Sequence, residues 1–240
     1  LSAEPNPAPP VLDGAVETRE PAGDAGFLAS VAHFRQGVLH GEFVRYSPDG
    51  RPALRAQFVH GLLDGETVLY DANGWVSQRL GYRAGRMHGE LILYLAGREL
   101  RRSSYAHGLL DGPTLAYDEA GQLTSELAYR AGKLEGESIA YGPGRRVVKR
   151  ALYRADRLHG EALSYYDTGE LEEKAPYEEG LLNGTIVRYH KDGRVREKAA
   201  FRLGQPVGEA VAYDAKGRPK KKAAKEPLAT RLAIKHFGNG

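Results

Sequence analysis

Eight histidines and a row of glutamates are the residues of this chain whose chemistry first invites a site. His40, His88 and His159 stand immediately before Gly41, Gly89 and Gly160, and His60 and His107 immediately before Gly61 and Gly108. A zinc ion would need such imidazoles to converge within about 2 Å of one point. The positions are set by a repeat, so equivalent atoms lie about 10 Å apart, two strand spacings. The histidines therefore read as turn residues. Glu42, Glu66, Glu90, Glu137, Glu161 and Glu209 form a second recurring row. It reads as solvated surface, or as cross-strand pairing with Arg and Lys, not as acid–base machinery. The chain has no cysteine, which excludes thiolate metal sites and disulfides. It carries no Gly-x-Ser-x-Gly elbow, phosphate-binding loop or dinucleotide fingerprint. The sequence thus predicts no catalytic residue, no metal ligand and no cofactor, and a protein that is not an enzyme.

The elements behind these residues recur. An aromatic appears at Phe34, Phe58, Tyr82, Tyr105, Tyr129, Tyr153, Tyr177 and Phe201, at a spacing of 24 that slips once to 23. Seven residues after each comes a glycine, from Gly41 to Gly208, and five further on a tyrosine, from Tyr46 to Tyr213. A fixed period of this size marks a repeat array. The third residue after the glycine is always aliphatic, and the tyrosine two beyond it shares its face of an extended strand. A turn follows, as in Ser-Pro-Asp-Gly (47–50) or Asp-Ala-Asn-Gly (71–74), whose glycine supplies positive φ. A second strand leads to the next aromatic, and the chain turns again through aromatic-x-x-Gly-x-Leu-x-Gly. Each copy is one β-hairpin, about sixteen strands in all. The tyrosines read as half-buried stacking first and as a recognition surface second.

The bulk numbers narrow the function. With 34 basic and 31 acidic residues the net charge is +3, which argues against a nucleic-acid binder. Only Lys216–Lys225 is strongly basic, and it reads as a solvated tail. No stretch approaches the ~20 apolar residues of a membrane span. Residues 1–10 hold four prolines and are expected to be a disordered tether. Opening at Leu1, they resemble the stretch that follows a removed secretory or lipoprotein signal. Residues 11–33 read as a degenerate N-terminal capping repeat, 34–220 as the repeat domain, and 221–240 as a basic segment and C-terminal cap, with a short helix over 225–237.

The pattern Tyr-x-x-Gly-x-Leu-x-Gly-x-x-x-x-Tyr, followed by a turn glycine, is similar to the MORN repeat. Its clearest copies run Tyr82–Gly97, Tyr129–Gly144 and Tyr177–Gly193. It most resembles the variant in bacterial antitoxin and immunity proteins of the YwqK type. The period is 24 and the lone Trp75 sits away from the tryptophan position of eukaryotic MORN repeats. The resemblance implies an all-β, elongated, twisted antiparallel β-meander of about eight MORN-like hairpin repeats. It implies an immunity protein that binds and silences a cognate toxin or secretion-system effector, such as an envelope-attacking phospholipase, in the periplasm. Membrane contact would then come through a removed signal or a lipid anchor. MORN arrays elsewhere imply the alternative, a structural scaffold or an anionic-lipid-associated protein. Homo-oligomer state is not read from the sequence.

In a repeat protein, function sits where copies differ. Trp75 stands where other copies carry mostly Arg, Gln or Glu. Arg101 and Arg102 lie in the shortened repeat. Arg145 and Arg146 follow the irregular Gly142-Pro143-Gly144 turn, and Asp156 replaces a turn glycine. These six are the candidate partner-binding residues.

Overall fold

The computed structural model describes residues 11–20 and 26–220. The tether over 1–10 and the segment 221–240, with the helix expected at 225–237, lie outside the described residues. The chain divides into two compact units, 1–110 and 111–240. The first holds β1 (Gly14–Glu20), β2 (Phe27–Arg35), β3 (Val38–Tyr46), β4 (Pro52–Val59), β5 (Leu62–Tyr70), β6 (Val76–Arg83), β7 (Arg86–Leu95) and β8 (Arg98–Ala106). The boundary falls within β9 (Leu109–Tyr117). The second unit continues with β10 (Leu123–Arg130), β11 (Lys133–Gly142), β12 (Arg146–Arg154), β13 (Arg157–Tyr165) and β14 (Leu171–Glu178). It closes with β15 (Leu181–Leu182), β16 (Gly184–Tyr189), β17 (Val195–Arg202) and β18 (Gln205–Ala212).

Within each unit every strand pairs antiparallel with its sequence neighbour, the expected meander of hairpins. There is no α-helix among the described residues. Two strands exceed the sixteen expected. One is β1, and the other arises because a strand breaks at Asn183 into β15 and β16, both paired with β14.

The tight turn after each aromatic has two residues, both at positive φ. His60 (48°) and Gly61 (78°) show it, and so do Ala84 (48°) and Gly85 (77°). This is the type I′ pattern, whose twist matches that of paired strands. The invariant glycine follows at a register shift and sits opposite the next aromatic, as Gly65 sits opposite Tyr82. A Cβ on Gly65 would approach the Gln57 Cβ to 3.0 Å, at a φ of +116°. The close approach therefore reserves the position for glycine.

Burial differs from the sequence expectation. The aliphatic residue three past the glycine is buried at Val44, Val68 and Ile92, only half-buried at Leu115, Ile139, Leu163 and Val187, and exposed at Val211. The most buried positions belong to a cross-strand row of mainly small residues on the other face. In the first unit it runs Ala32, Phe43, Ala56, Thr67, Leu80, Leu91, Ser103. In the second it includes Ser138, Ala151, Ala162 and Ala175. Ser138 is fully buried, and Ser103 and Ala175 nearly so. Larger flanking side chains cover small ones in a sheet, so the low hydrophobicity of this row masked how deeply it is buried. Ala175, Ile186, Ala199 and Phe201 form a local core, packed against Tyr177 and Leu182.

Candidate functional site

The glutamate row is neutralised strand by strand. Five of the six, Glu42, Glu66, Glu90, Glu137 and Glu161, meet a base three residues before the next aromatic. Arg79 reaches Glu66 at 3.1 Å, Arg102 reaches Glu90 at 2.9 Å and Arg150 reaches Glu137 at 3.2 Å. Arg55–Glu42 is looser at 3.9 Å, and Lys174 pairs with Glu161. These pairs are solvent-exposed, where water screens the attraction and each adds little to stability. The expected cross-strand pairing is thus observed. Glu126 occupies a base's position and instead accepts from the Tyr141 hydroxyl at 3.4 Å. Burial, then the Glu126 charge, raises the Tyr141 phenol above its ordinary value.

The type I′ turns dock side by side. The second turn residue donates its N–H to the preceding repeat's leucine carbonyl, as Gly61 does to Leu39 and Gly180 to Leu158, both at 2.8 Å. A second contact joins the residue before the invariant glycine to the first turn residue of the next hairpin. Where the former is acidic or amide, it accepts the turn's backbone N–H. Asp64 takes that of Ala84 at 3.0 Å, Glu135 that of Ala155 at 2.9 Å, and Asp111 and Asn183 those of Ala131 and Leu203 at 3.4 Å. Where it is histidine, the contact runs between side chains. The His40 and His60 rings meet edge-to-face at 5.3 Å, those of His88 and His107 at 5.9 Å, and His159 Nδ1 lies 3.7 Å from the Glu179 carboxylate. The expectation that the histidines stand a repeat apart is corrected: it holds for equivalent positions but overlooks pairs between different ones. Burial, then Arg35 and His60, holds the His40 imidazole below its ordinary value. Among the described residues no group of three His, Asp or Glu side chains could hold a metal ion.

At the opposite turns, an aspartate organises the loop. Asp71 Oδ1 accepts from the Asn73 and Trp75 N–H groups at 2.9 Å, and Asp118 and Asp214 act alike. The residue seven before the next aromatic reaches the next turn. Arg146 donates to the Asp167 carbonyl at 3.0 Å and Arg194 to that of Ala215 at 2.6 Å. Trp75 fills this arm's position with an indole, whose edge would lie 3.3 Å from a Cβ on Gly97 in the shortened turn. It remains 58% exposed, near the exposed Leu95 of that same turn.

The six candidate residues fall into separate settings. Trp75, Arg101 and Arg102 lie in the first unit, and Arg145, Arg146 and Asp156 in the second. Arg102 belongs to the charged row and is also gripped by Glu99 at 2.9 Å. Arg101 pairs across the ladder with Leu93. Arg145, at φ 59°, lies over the Tyr141 ring. Asp156 takes the left-handed conformation (φ 69°) of the glycine it replaces, and its Oδ1 accepts the Leu134 N–H at 2.8 Å. Asp156 and Arg146 sit at opposite ends of β12 and its turns, so the second unit's candidates do not converge.

One further position escaped the sequence reading. Four residues after the invariant glycine, Arg45 and Arg188 face different neighbours. Arg188 binds Glu173 at 2.6 Å and Glu197 at 2.9 Å, the three side chains between 14% and 23% exposed. Burial lowers its affinity for protons, but the two carboxylates outweigh that and hold it above the ordinary value. The Tyr177 phenol is pushed up to about 12, by burial first and then by the Glu173 charge. Arg45 instead lines a cleft of about 390 Å³ with Glu20, Phe27, Tyr46, Leu54 and Leu69.

Hairpins joined turn to turn, with a charged ladder and no converging reactive groups among the described residues, describe a β-repeat scaffold or protein-binding module. A family model described as "MORN repeat variant" matches residues 158–179, so the chain carries such a repeat in β13 and β14. No curated protein matches the chain. Among solved structures 42 chains match. One is from "Crystal structure of GtfA/B complex bound to UDP and GlcNAc", with 18% identity, 45% of this chain covered, and a TM-score of 0.22. The match spans 22% of that chain's length, and a likeness of this kind carries no argument about function.

Proposed function

We propose that this chain is a non-enzymatic antitoxin or immunity protein that binds a cognate toxin or secreted effector and neutralises it. The observation that carries the reading is a pair of successive turns, one presenting Trp75 and the next Leu95, 58% and 56% exposed, in an array whose recurring side chains are occupied by the fold. A large aromatic on a fixed scaffold loses little ordering entropy on binding and is a favoured anchor. The MORN repeat variant supports the protein-binding part of this reading; the effector we propose is an envelope-attacking enzyme such as a phospholipase, met in the periplasm. Co-expression with the effector encoded by a neighbouring gene tests this. Rescue of the cells and a stable complex on co-purification are expected. No rescue and no complex would sink it.

A second reading, a scaffold on anionic lipid, rests on one local observation. Arg194, Lys198 and Lys216 line a cleft at the last hairpins, and Lys198, Lys216 and Lys220 have no ion-pair partner among the described residues. Sedimentation with phosphatidylserine vesicles should then occur and fall with salt. Replacing Lys198, Lys216 and Lys220 by Gln should abolish it, and binding insensitive to those changes would reject the lipid reading.

A further inference from the structure

We propose that the Arg45 cleft is a docking site for an acidic side chain of a protein partner, with an adjoining apolar residue seated on Leu54 and Leu69. The repeat itself indicates the ligand. At the equivalent position Arg188 is clamped by carboxylates from the strands on either side, Glu173 and Glu197. The residues that flank Arg45 across its ladders are Ser30 and Leu54. Neither is an acid, and Arg45 has no hydrogen bond or ion pair among the described residues. Its guanidinium therefore retains the donor fork that matches a carboxylate. The apolar walls, Phe27, Leu54 and Leu69, would bury a neighbouring aliphatic or aromatic side chain. Glu20 on the same cleft, also unpaired among the described residues, repels further negative charge. That selects a single side-chain carboxylate over a polyphosphate or nucleic acid.

This inference rests on the protein-binding reading only for who supplies the carboxylate. Its test uses a synthetic probe, the peptide acetyl-Phe-Glu-Leu-amide, titrated into the full chain and followed by NMR. Saturable shifts at the Arg45 Nε–H and at the Leu54 and Leu69 methyls are expected. Affinity should fall by about tenfold or more with the Gln analogue of the peptide, or with Arg45→Gln. Inorganic phosphate should compete poorly. Absent shifts, equal binding of the Gln analogue or by Arg45→Gln, or competition by phosphate as effective as by the peptide would each overturn it. Arg45→Gln breaks no described contact, so an unchanged melting temperature shows that its effect is local. Failure here leaves toxin binding to be judged by rescue, and failure of rescue leaves the cleft to be judged by the peptide.

Discussion

Arg45 and Arg188 hold the same place in their repeats, yet one lies open in a cleft of the first unit and the other is locked between two glutamates in the second. The difference lies in neighbours 9 and 15 residues away, which the repeat leaves free to vary. One repeat position can thus serve cohesion in one hairpin and recognition in another. The comparison can be broken directly. Arg188→Ala leaves Glu173 and Glu197, on the strands to either side, mostly buried without their cation, and should cost about 3 kcal/mol in urea unfolding followed by circular dichroism. Arg45→Ala should stay within about 0.5 kcal/mol. Equal costs would show that position, not surroundings, decides the role.

A second pair sharpens the same lesson with backbone instead of charge. Gly81 and Ala128 both precede the recurring aromatic. A Cβ on Gly81 would stand 2.2 Å from the His88 carbonyl oxygen, whereas the Ala128 methyl packs in ordinary contact 3.5 Å from a Cβ built on Gly136. Gly81→Ala should therefore cost about 2–3 kcal/mol, since backbone must move to admit the methyl. Ala128→Gly should cost about 1 kcal/mol, from strand entropy and lost packing. Thermal unfolding of both variants checks the order, and a reversal would mean that the β6–β7 turn relaxes freely.

These cases show what was legible in the sequence. The period of 24, one hairpin per copy, the positive-φ turns and the Glu–Arg ladder all follow from patterns within a single repeat. What failed to show depends on register between repeats. The depth of burial of the small-residue row did not show, because alanine and serine carry little hydrophobic signal. The Arg188 clamp needs three strands in place. Trp75 meets Gly97, twenty-two residues on, in the turn of the next repeat. Asp64 meets Ala84 twenty residues on, and the same offset pairs His40 with His60. The candidate arginines looked irregular as sequence, but Arg102 and Arg146 proved to hold regular posts in the ladder and at the turns.

Asp156 offers a smaller test, against the glycines at its position in other turns. Aspartate tolerates the left-handed conformation, and its carboxylate adds a bond that glycine lacks. Asp156→Ala loses both and should cost about 1–2 kcal/mol. Asp156→Gly keeps the backbone and loses only the bond to Leu134, about 1 kcal/mol or less. Hydrogen exchange at the Leu134 amide reads the difference: it should quicken in both variants. Unchanged exchange would show that the carboxylate adds nothing to the docking of these turns.

The last and smallest effect separates histidine junctions from acidic ones. In the folded chain the His40 pKa lies below its ordinary value of 6.5, through burial, Arg35 and His60. A depressed histidine pKa means that folding favours the neutral ring. The stability it contributes is complete above pH 6.5 and is lost as pH falls through the lower, folded value. His40→Asp converts the junction into the Asp64 kind, with a carboxylate placed to accept the His60 backbone N–H. The melting temperature of the natural chain should thus drop further between pH 7.5 and pH 5.5 than that of His40→Asp, which lacks the depressed imidazole. A difference of the opposite sign would show that the His40 junction is no weak point in acid.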